Sequence, residues 1–245
     1  MPSSAPLAWV TPSDWAALVW FFVSWVGYTL FADYGPGRHR SIAALMTARR
    51  RSWFMECARR DLRIIDTNIL GNLLQGVSFL SSTTIFAIGG LLAMMGVTDK
   101  VAQALGRLPF VEDSSLEALE SKICFLLIIF VYAFFKFGWA FRLTNYCSIT
   151  MGGLPSSSQS ESERVRYIVG ASSILSTRSG HHFNRGLRAY FFALGALGWL
   201  VHPVLFAIIS CGVVVVLYRR EFSSTALRAL GALDQADPAP PPLDF

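Results

Sequence analysis

The chain has 245 residues, of which 53% are apolar and only 15% charged, with 19 Phe and 7 Trp. A soluble domain carries about 25% charged residues to clothe its surface, so this composition excludes a disordered chain and a fibrous repeat and argues against a soluble enzyme. The net charge of +5 would suit nucleic acid, anionic lipid or membrane topology, and the positions of the charges decide among these.

In chain order, Trp15 to Phe31 carries no charge and approaches the roughly 20 apolar residues that a bilayer-crossing helix needs. No Lys or Arg precedes it and no clean small-residue cleavage site follows, so it reads as a span and not as a signal peptide. Gly35-Pro36-Gly37 then marks a turn. From Ser41, a natural N-cap, to Arg63 the pattern is helical. Met55, Ala58, Leu62 and Ile65 form an apolar stripe with Arg59, Arg60 and Arg63 beside it. Such a helix either lies on an anionic leaflet or packs under the bundle as an elbow.

A second span runs from about Ile69 to Val97, followed by a short acidic loop around Leu108-Pro109. The third, Ile123 to Phe141, holds one charge, Lys136. A polar loop opens with Gly152, Gly153 and Pro155, and Glu161 to Leu175 reads as a second short amphipathic helix. Ala189 to Tyr218 forms the fourth span, with His202-Pro203 near its middle, where proline predicts a kink. Residues 231–245, rich in proline, are expected to be a disordered tail.

The loops flanking this pattern orient it. The first and third loops hold fourteen basic residues, all arginine, against six on the other side. The positive-inside rule places those two loops in the cytoplasm and both termini in the periplasm of a bacterial inner membrane. The basic pair Arg219 and Arg220 after span four runs against that assignment. Cys57, Cys124, Cys147 and Cys211 form no paired spacing and read as free thiols, with no metal site or disulfide.

The polar residues inside the spans are the functional candidates, because each needs a partner in hydrocarbon. Asn68, Asn72, Gln75, Ser78 and Ser82 fall on one stripe of span two. The stripe should face protein or a wet cavity, as interhelical hydrogen-bond glue or as the lining of a path. Asp66, Lys136 and Arg142 share one depth near Asn145 and Tyr146, and Asp66 is expected to pair with Lys136 or Arg142. His202 is either a proton-relay candidate or a mute interhelical hydrogen bonder. Gly195 and Gly198 beside it permit a close helix approach. Arg49, Arg50, Arg51, Arg59, Arg60, Arg63, Arg185 and Arg188 are the candidate contacts for anionic lipid headgroups. No soluble-enzyme motif is present.

The runs RRSWFMECARRDLRIIDTNILGNLLQGVSFLSSTTI, FFKFGWAFRLTNYCSI, HHFNRGLRAYFF and VLYRREFSSTALRAL resemble those of the multi-pass membrane family called domain of unknown function 599. The resemblance extends to about Leu230 and implies a membrane fold without implying an activity. It draws attention to Asn68, Ser82, Lys136, Arg142, Asn145, Tyr146, Asn184, Arg185, Gly186 and Arg188. The expected protein is thus all-α, a four-helix transmembrane bundle with cytoplasmic amphipathic helices. It acts as a non-enzymatic binding or accessory subunit that contacts anionic lipid or a membrane-protein partner, or as a small oligomeric transporter or channel. It needs no cofactor, metal or nucleic acid, and a homo-oligomer is the natural assembly of the transporter version.

Overall fold

Every helix of three turns or more, apart from the one entered from Arg63, starts where a side chain closes its first turn. In the computed structural model, which describes residues 10–107 and 115–238, α1 (Pro12–Tyr34) opens on a capping box between Thr11 and Asp14 with proline in its first turn. Ser41 caps α2 (Ile42–Arg59) as its position predicts, its Oγ accepting from the Ala44 N–H at 3.2 Å. Ser115, Ser162 and Ser224 do the same for α5 (Leu116–Gly152), α6 (Glu163–Ala196) and α8 (Thr225–Ala236). The remaining helices are α3 (Ile64–Met95), α4 (Thr98–Leu105) and α7 (Pro203–Phe222). No strand occurs among the described residues. The loop around Leu108-Pro109 and the tail beyond residue 238 lie outside them.

Four segments are long and apolar enough to cross a membrane: α1, α3, α5 and the stretch opening at Pro203. Three match the expected spans, with longer ends. The fourth does not. Ala189 to Tyr218 is two helices, because the chain turns back at residues 197–202. Pro203 cannot continue a helix that already lacks a donor there, and it takes the first position of α7 instead of kinking a continuous span. The short amphipathic helix expected from Glu161 to Leu175 is likewise the first half of the 34-residue α6.

α6 lies antiparallel along α5. Thr144 and Ser179 share a hydrogen bond at 2.6 Å, Gly186 sits on Phe137, Tyr190 meets Phe130, and Trp199 meets Phe125. Its buried face is largely small: Gly170, Ser172, Ser176, Ser179, Gly186, Ala189, Ala193 and Ala196. Small residues let two helix backbones approach closely. At Gly186 an added Cβ would come within 2.6 Å of the Phe137 ring. At the turn, Gly195 and Gly198 let α7 fold back closely, with Ile209 Cδ1 only 2.8 Å from where a Gly198 Cβ would stand.

Five helical segments therefore run side by side, α1, α3, α5, the end of α6 from Ala189 on, and α7. Their common core is aromatic. Phe21 is fully buried, with ring centroids 5.0 to 5.5 Å from Phe206, Phe125 and Phe192, and Trp199 stacks on Phe206. Each such pair adds about 1 kcal/mol beyond the area it buries.

An odd number of segments separates the chain ends. Asp14 on α1 meets Trp199 at one end of the bundle, while Asp234 and Asp237 beside α8 pair with Arg49 of α2 at the other. The described chain ends thus lie at opposite ends of the bundle, where four antiparallel spans alone would bring them to the same end. The tail joins the Arg-rich end, which removes the conflict posed by Arg219 and Arg220. Residues 231–236, expected to open the disordered tail, are the last turns of α8, and the rest of that expectation beyond residue 238 lies outside the described residues.

A second apolar cluster lies beyond the first at that end. Phe54, Cys57 and Ala58 of α2 pack with Leu70, Cys147, Met151, Leu154, Val165 and Val169. The elbow alternative describes α2. Its helix stops at Arg59, leaving Leu62 and Ile65 exposed instead of continuing the predicted stripe.

Candidate anion-binding cavity

The middle of α6 carries Arg178, His181, His182, Arg185 and Arg188 at intervals of three and four, which places them on one face. That face looks onto the end of α1, the start of α2 and the end of α7, and a cavity of about 800 Å³ lies between them. Six arginines line it: Arg38, Arg51, Arg178, Arg185, Arg188 and Arg220. Only two carboxylates do, Asp33 and Glu221.

Both carboxylates are already engaged. Asp33 accepts from Arg185 Nε at 2.8 Å and from Arg188 Nη2 at 2.6 Å. Glu221 accepts from the Ala43 N–H at 3.0 Å, closing the open first turn of α2. The lining thus keeps a surplus of positive charge. Arg188 is 93% buried, being 7% exposed, yet its Nε and Nη1 have no hydrogen-bond partner among the described residues. The buried Nε and Nη1 of Arg51 and Nδ1 of His182 are in the same position. Buried donors are ordinarily satisfied, and leaving one unmade costs on the order of 1–3 kcal/mol.

The histidines do not add charge at neutral pH. Burial, followed by the nearby cations Lys136 and Arg185, pushes His182 down to about 4. His181 is lowered as well, chiefly by burial. Among the described residues no three His, Cys, Asp or Glu side chains come together to hold a metal ion. The chemistry of the cavity is that of an anion receptor built from guanidinium groups.

A family model described as Protein of unknown function, DUF599 matches residues 16–226, from within α1 to the start of α8. The chain belongs to that family. No curated protein and no solved structure matches it.

The domain of unknown function 599 runs noted in the sequence converge only in part on this cavity. Asn184, Arg185 and Arg188 line it, and Gly186 makes the α5–α6 contact beneath. Asp66 is fully buried but pairs elsewhere than expected. Its Oδ1 accepts from Arg60 at 2.8 Å and from Trp53 Nε1 at 2.7 Å. Among the described residues it makes no ion pair with Lys136 or Arg142. Arg60 comes first because it stands only six residues back, at the C-cap of α2, while Asp66 sits in the first turn of α3. Lys136 instead lies over the Tyr132 ring at 5.0 Å, and Arg142 Nε donates to the Tyr146 hydroxyl at 2.6 Å.

The span-two stripe also turns out differently. Leu70, Val77, Thr84 and Leu91 recur every seven residues and face α5. Asn68, Asn72, Gln75 and Ser82 lie on the opposite side and are exposed on the single chain, as is Asn145 of α5. They neither line the cavity nor bond to a neighbouring helix of their own chain. His202 is not mid-span. It caps α7, its Nδ1 accepting from the Val204 N–H at 3.1 Å.

Of the arginines expected on lipid, several are spent internally. Arg49 pairs with Asp234 and Asp237, Arg60 with Asp66, and Arg63 donates to the carbonyls of Cys57, Ala58, Leu154 and Pro155. Arg50 packs on Gly180, and burial lowers its pKa. Arg59 is exposed and pairs with Glu56. Arg51, Arg185 and Arg188 are the three that reach the cavity. The sequence reading passed over Asp33, Arg38, Arg178, Arg220, Glu221 and the histidine pair as site members. The available signal was the three-and-four spacing from Arg178 to Arg188, hidden because that stretch was read as loop.

Proposed function

We propose that this is a non-enzymatic membrane binding protein that holds an anionic molecule in the cavity at its Arg-rich end. One observation carries the reading: Arg51 and Arg188, on two different helices, line that cavity, and each keeps two buried guanidinium nitrogens without a hydrogen-bond partner among the described residues. An anion is the group that satisfies such donors. The test uses the full chain purified in detergent. Phosphate, citrate and an anionic lipid are compared with chloride at equal ionic strength by thermal unfolding. A ligand that binds only the folded state raises the melting temperature as its concentration passes Kd. The expected result is a rise with at least one polyanion, reduced in Arg51→Gln. No rise with any anion would sink the reading.

The same reading places the Arg-rich end in the cytoplasm of a bacterial inner membrane, following the positive-inside rule. The N-terminus is then periplasmic and the C-terminus cytoplasmic. Impermeant maleimide on intact cells should label a cysteine introduced at Ser13 and spare one at Ala226. Equal labelling of both would overturn this orientation.

A second reading, a small oligomeric transporter or channel, draws on the outward polar face of α3. Asn68, Asn72, Gln75, Phe79, Ser82, Phe86 and Gly89 alternate at steps of four and three, the spacing of a helix–helix seam. Amides are costly against lipid and can pair with their own symmetry mates. A path along this face is enclosed only between copies. Native mass spectrometry is expected to give a dimer or higher ring that Asn72→Leu with Gln75→Leu weakens. A strict monomer in native lipid would remove the second reading and leave the first intact.

A further inference from the structure

We propose that the anion in the cavity is a phosphomonoester, a doubly charged phosphate carried on a partly apolar molecule. The proposal rests on the anion-binding reading above and specifies its ligand. Three features of the cavity point to this chemistry.

The first is the number of free donors. Arg51 on α2 and Arg188 on α6 each present two buried, unpartnered N–H-bearing nitrogens. A carboxylate offers two oxygens and one charge, and the cavity already contains one in that role. Asp33 takes Arg185 and the third nitrogen of Arg188 and still leaves the other two unmatched. A phosphomonoester offers three terminal oxygens and close to two negative charges at neutral pH. It can bridge two guanidinium groups from different helices, where a phosphodiester has one charge and two free oxygens.

The second is the charge that remains after internal pairing. Six arginines line the cavity against Asp33 and Glu221, and Arg38, Arg51, Arg178 and Arg220 make no ion pair among the described residues. His182 is neutral at pH 7, so it serves as a hydrogen-bonding group toward the ligand and not as a further charge.

The third is size and lining. About 800 Å³ is far more than a bare phosphate fills, and lies in the range of sites for drug-sized ligands. Tyr28, Ala32, Leu187 and Leu217 supply an apolar wall. Tyr28 and Leu217 belong to α1 and α7, two of the apolar membrane-length segments, so this wall lies toward the spanning part of the bundle. The charged roof comes from the middle of α2 and the middle of α6. A phosphate head under the roof with an apolar body along the wall satisfies both.

Such a head can arrive on a bilayer lipid or on a soluble metabolite, and the experiment separates these sources. The full chain is placed in phosphatidylcholine nanodiscs doped with phosphatidic acid, a phosphomonoester, or with phosphatidylglycerol, a phosphodiester, and retained lipid is read by native mass spectrometry. Glycerol 3-phosphate, the soluble phosphomonoester, is titrated separately by thermal shift. Retention of phosphatidic acid about tenfold or more over phosphatidylglycerol supports the proposal with a lipid source. Stabilisation by glycerol 3-phosphate supports it with a soluble source. Arg51→Gln should weaken whichever binds by about tenfold to a hundredfold, the worth of a lost charge-assisted pair. Arg51→Lys should recover part of it, and Arg59→Gln, outside the cavity, should change nothing. Equal binding of the two lipids overturns the phosphomonoester proposal while sparing the anion reading. Binding of no anion at all overturns both. The lipid comparison uses the unaltered chain, so it decides even if an Arg51 variant fails to fold.

Discussion

The two ends of the helix bundle bury charge in the same kind of place and handle it in opposite ways. At the end where the chain enters, Asp14 is buried and completely occupied. Its Oδ1 accepts from Trp199 Nε1 at 2.7 Å, its Oδ2 accepts from the Thr11 hydroxyl and N–H, and Lys122 lies 5.7 Å from the Trp199 ring. At the Arg-rich end Asp33 ties down Arg185 and one nitrogen of Arg188, and the remaining donors of Arg188 and Arg51 point at nothing in the chain. The first arrangement closes the bundle, since every polar atom of its carboxylate stabilises the fold. The second costs the fold something and is therefore the place to look for a ligand.

The largest expected effect breaks the closed end. Asp14→Ala removes the acceptor of a buried indole N–H and the carboxylate of the α1 capping box together. Denaturant unfolding in detergent should show a loss of about 3 kcal/mol, with anion binding unchanged. A loss under about 1 kcal/mol would make the two ends alike and void the contrast. Next comes the seam that joins the ends. Gly186→Val drives a branched side chain into Phe137, which an added Cβ would already approach to 2.6 Å. Overpacking there should cost about 2 kcal/mol. An unchanged midpoint would mean that α5 and α6 can part without penalty.

The open end should respond with the reverse sign. Arg51→Met keeps the length and apolar stem of the side chain while removing a buried cation that has no ion pair. Without added anion, stability should hold or rise by about 1 kcal/mol, as when buried ionic groups give way to apolar ones. A fall of the size expected for Asp14→Ala would show that Arg51 is structural.

These sites differ also in how plainly the sequence displays them. Three spans, the Ser41 cap and the Arg-rich side are legible because each rests on local pattern. α6 was not, because its apolar stretch from Ala189 to Val201 is only about 20 Å long at 1.5 Å per residue, too short to announce a pass. It packs into the bundle because Arg185 and Arg188 find Asp33 and because glycine, serine and alanine let it sink against α5. Neither fact is visible without the partner helix. The same blindness misplaced His202, a cap mistaken for a mid-span residue, and paired Asp66 by depth when Arg60, six residues away in sequence, reaches it first. Asn68, Asn72, Gln75 and Ser82 were correctly seen as one stripe, but periodicity cannot say which side of α3 meets α5.

The smallest effect concerns pH and bears on the open end alone. His182 belongs to the part of α6 beyond the Asp33 level, with His181, Arg178 and Arg185 on its own helix and Lys136 facing it from α5. Burial and these cations hold its folded pKa at about 4, against 6.5 for an ordinary histidine. Between those values the unfolded chain binds the proton more readily than the folded one. Stability is therefore full above about pH 6.5, declines as pH falls toward 4, and levels off below. His182→Gln should flatten that slope while leaving the neutral-pH midpoint nearly unchanged, because the imidazole is uncharged there. Anion affinity in the cavity should likewise not rise from pH 7 to about 5, since His182 stays neutral there, and for a phosphomonoester it should fall as the ligand itself takes up a proton near pH ~6. A steep gain of affinity on acidification across that range would mean the histidine pair titrates within the site. The open end would then be a proton-sensitive receptor and not a fixed guanidinium one.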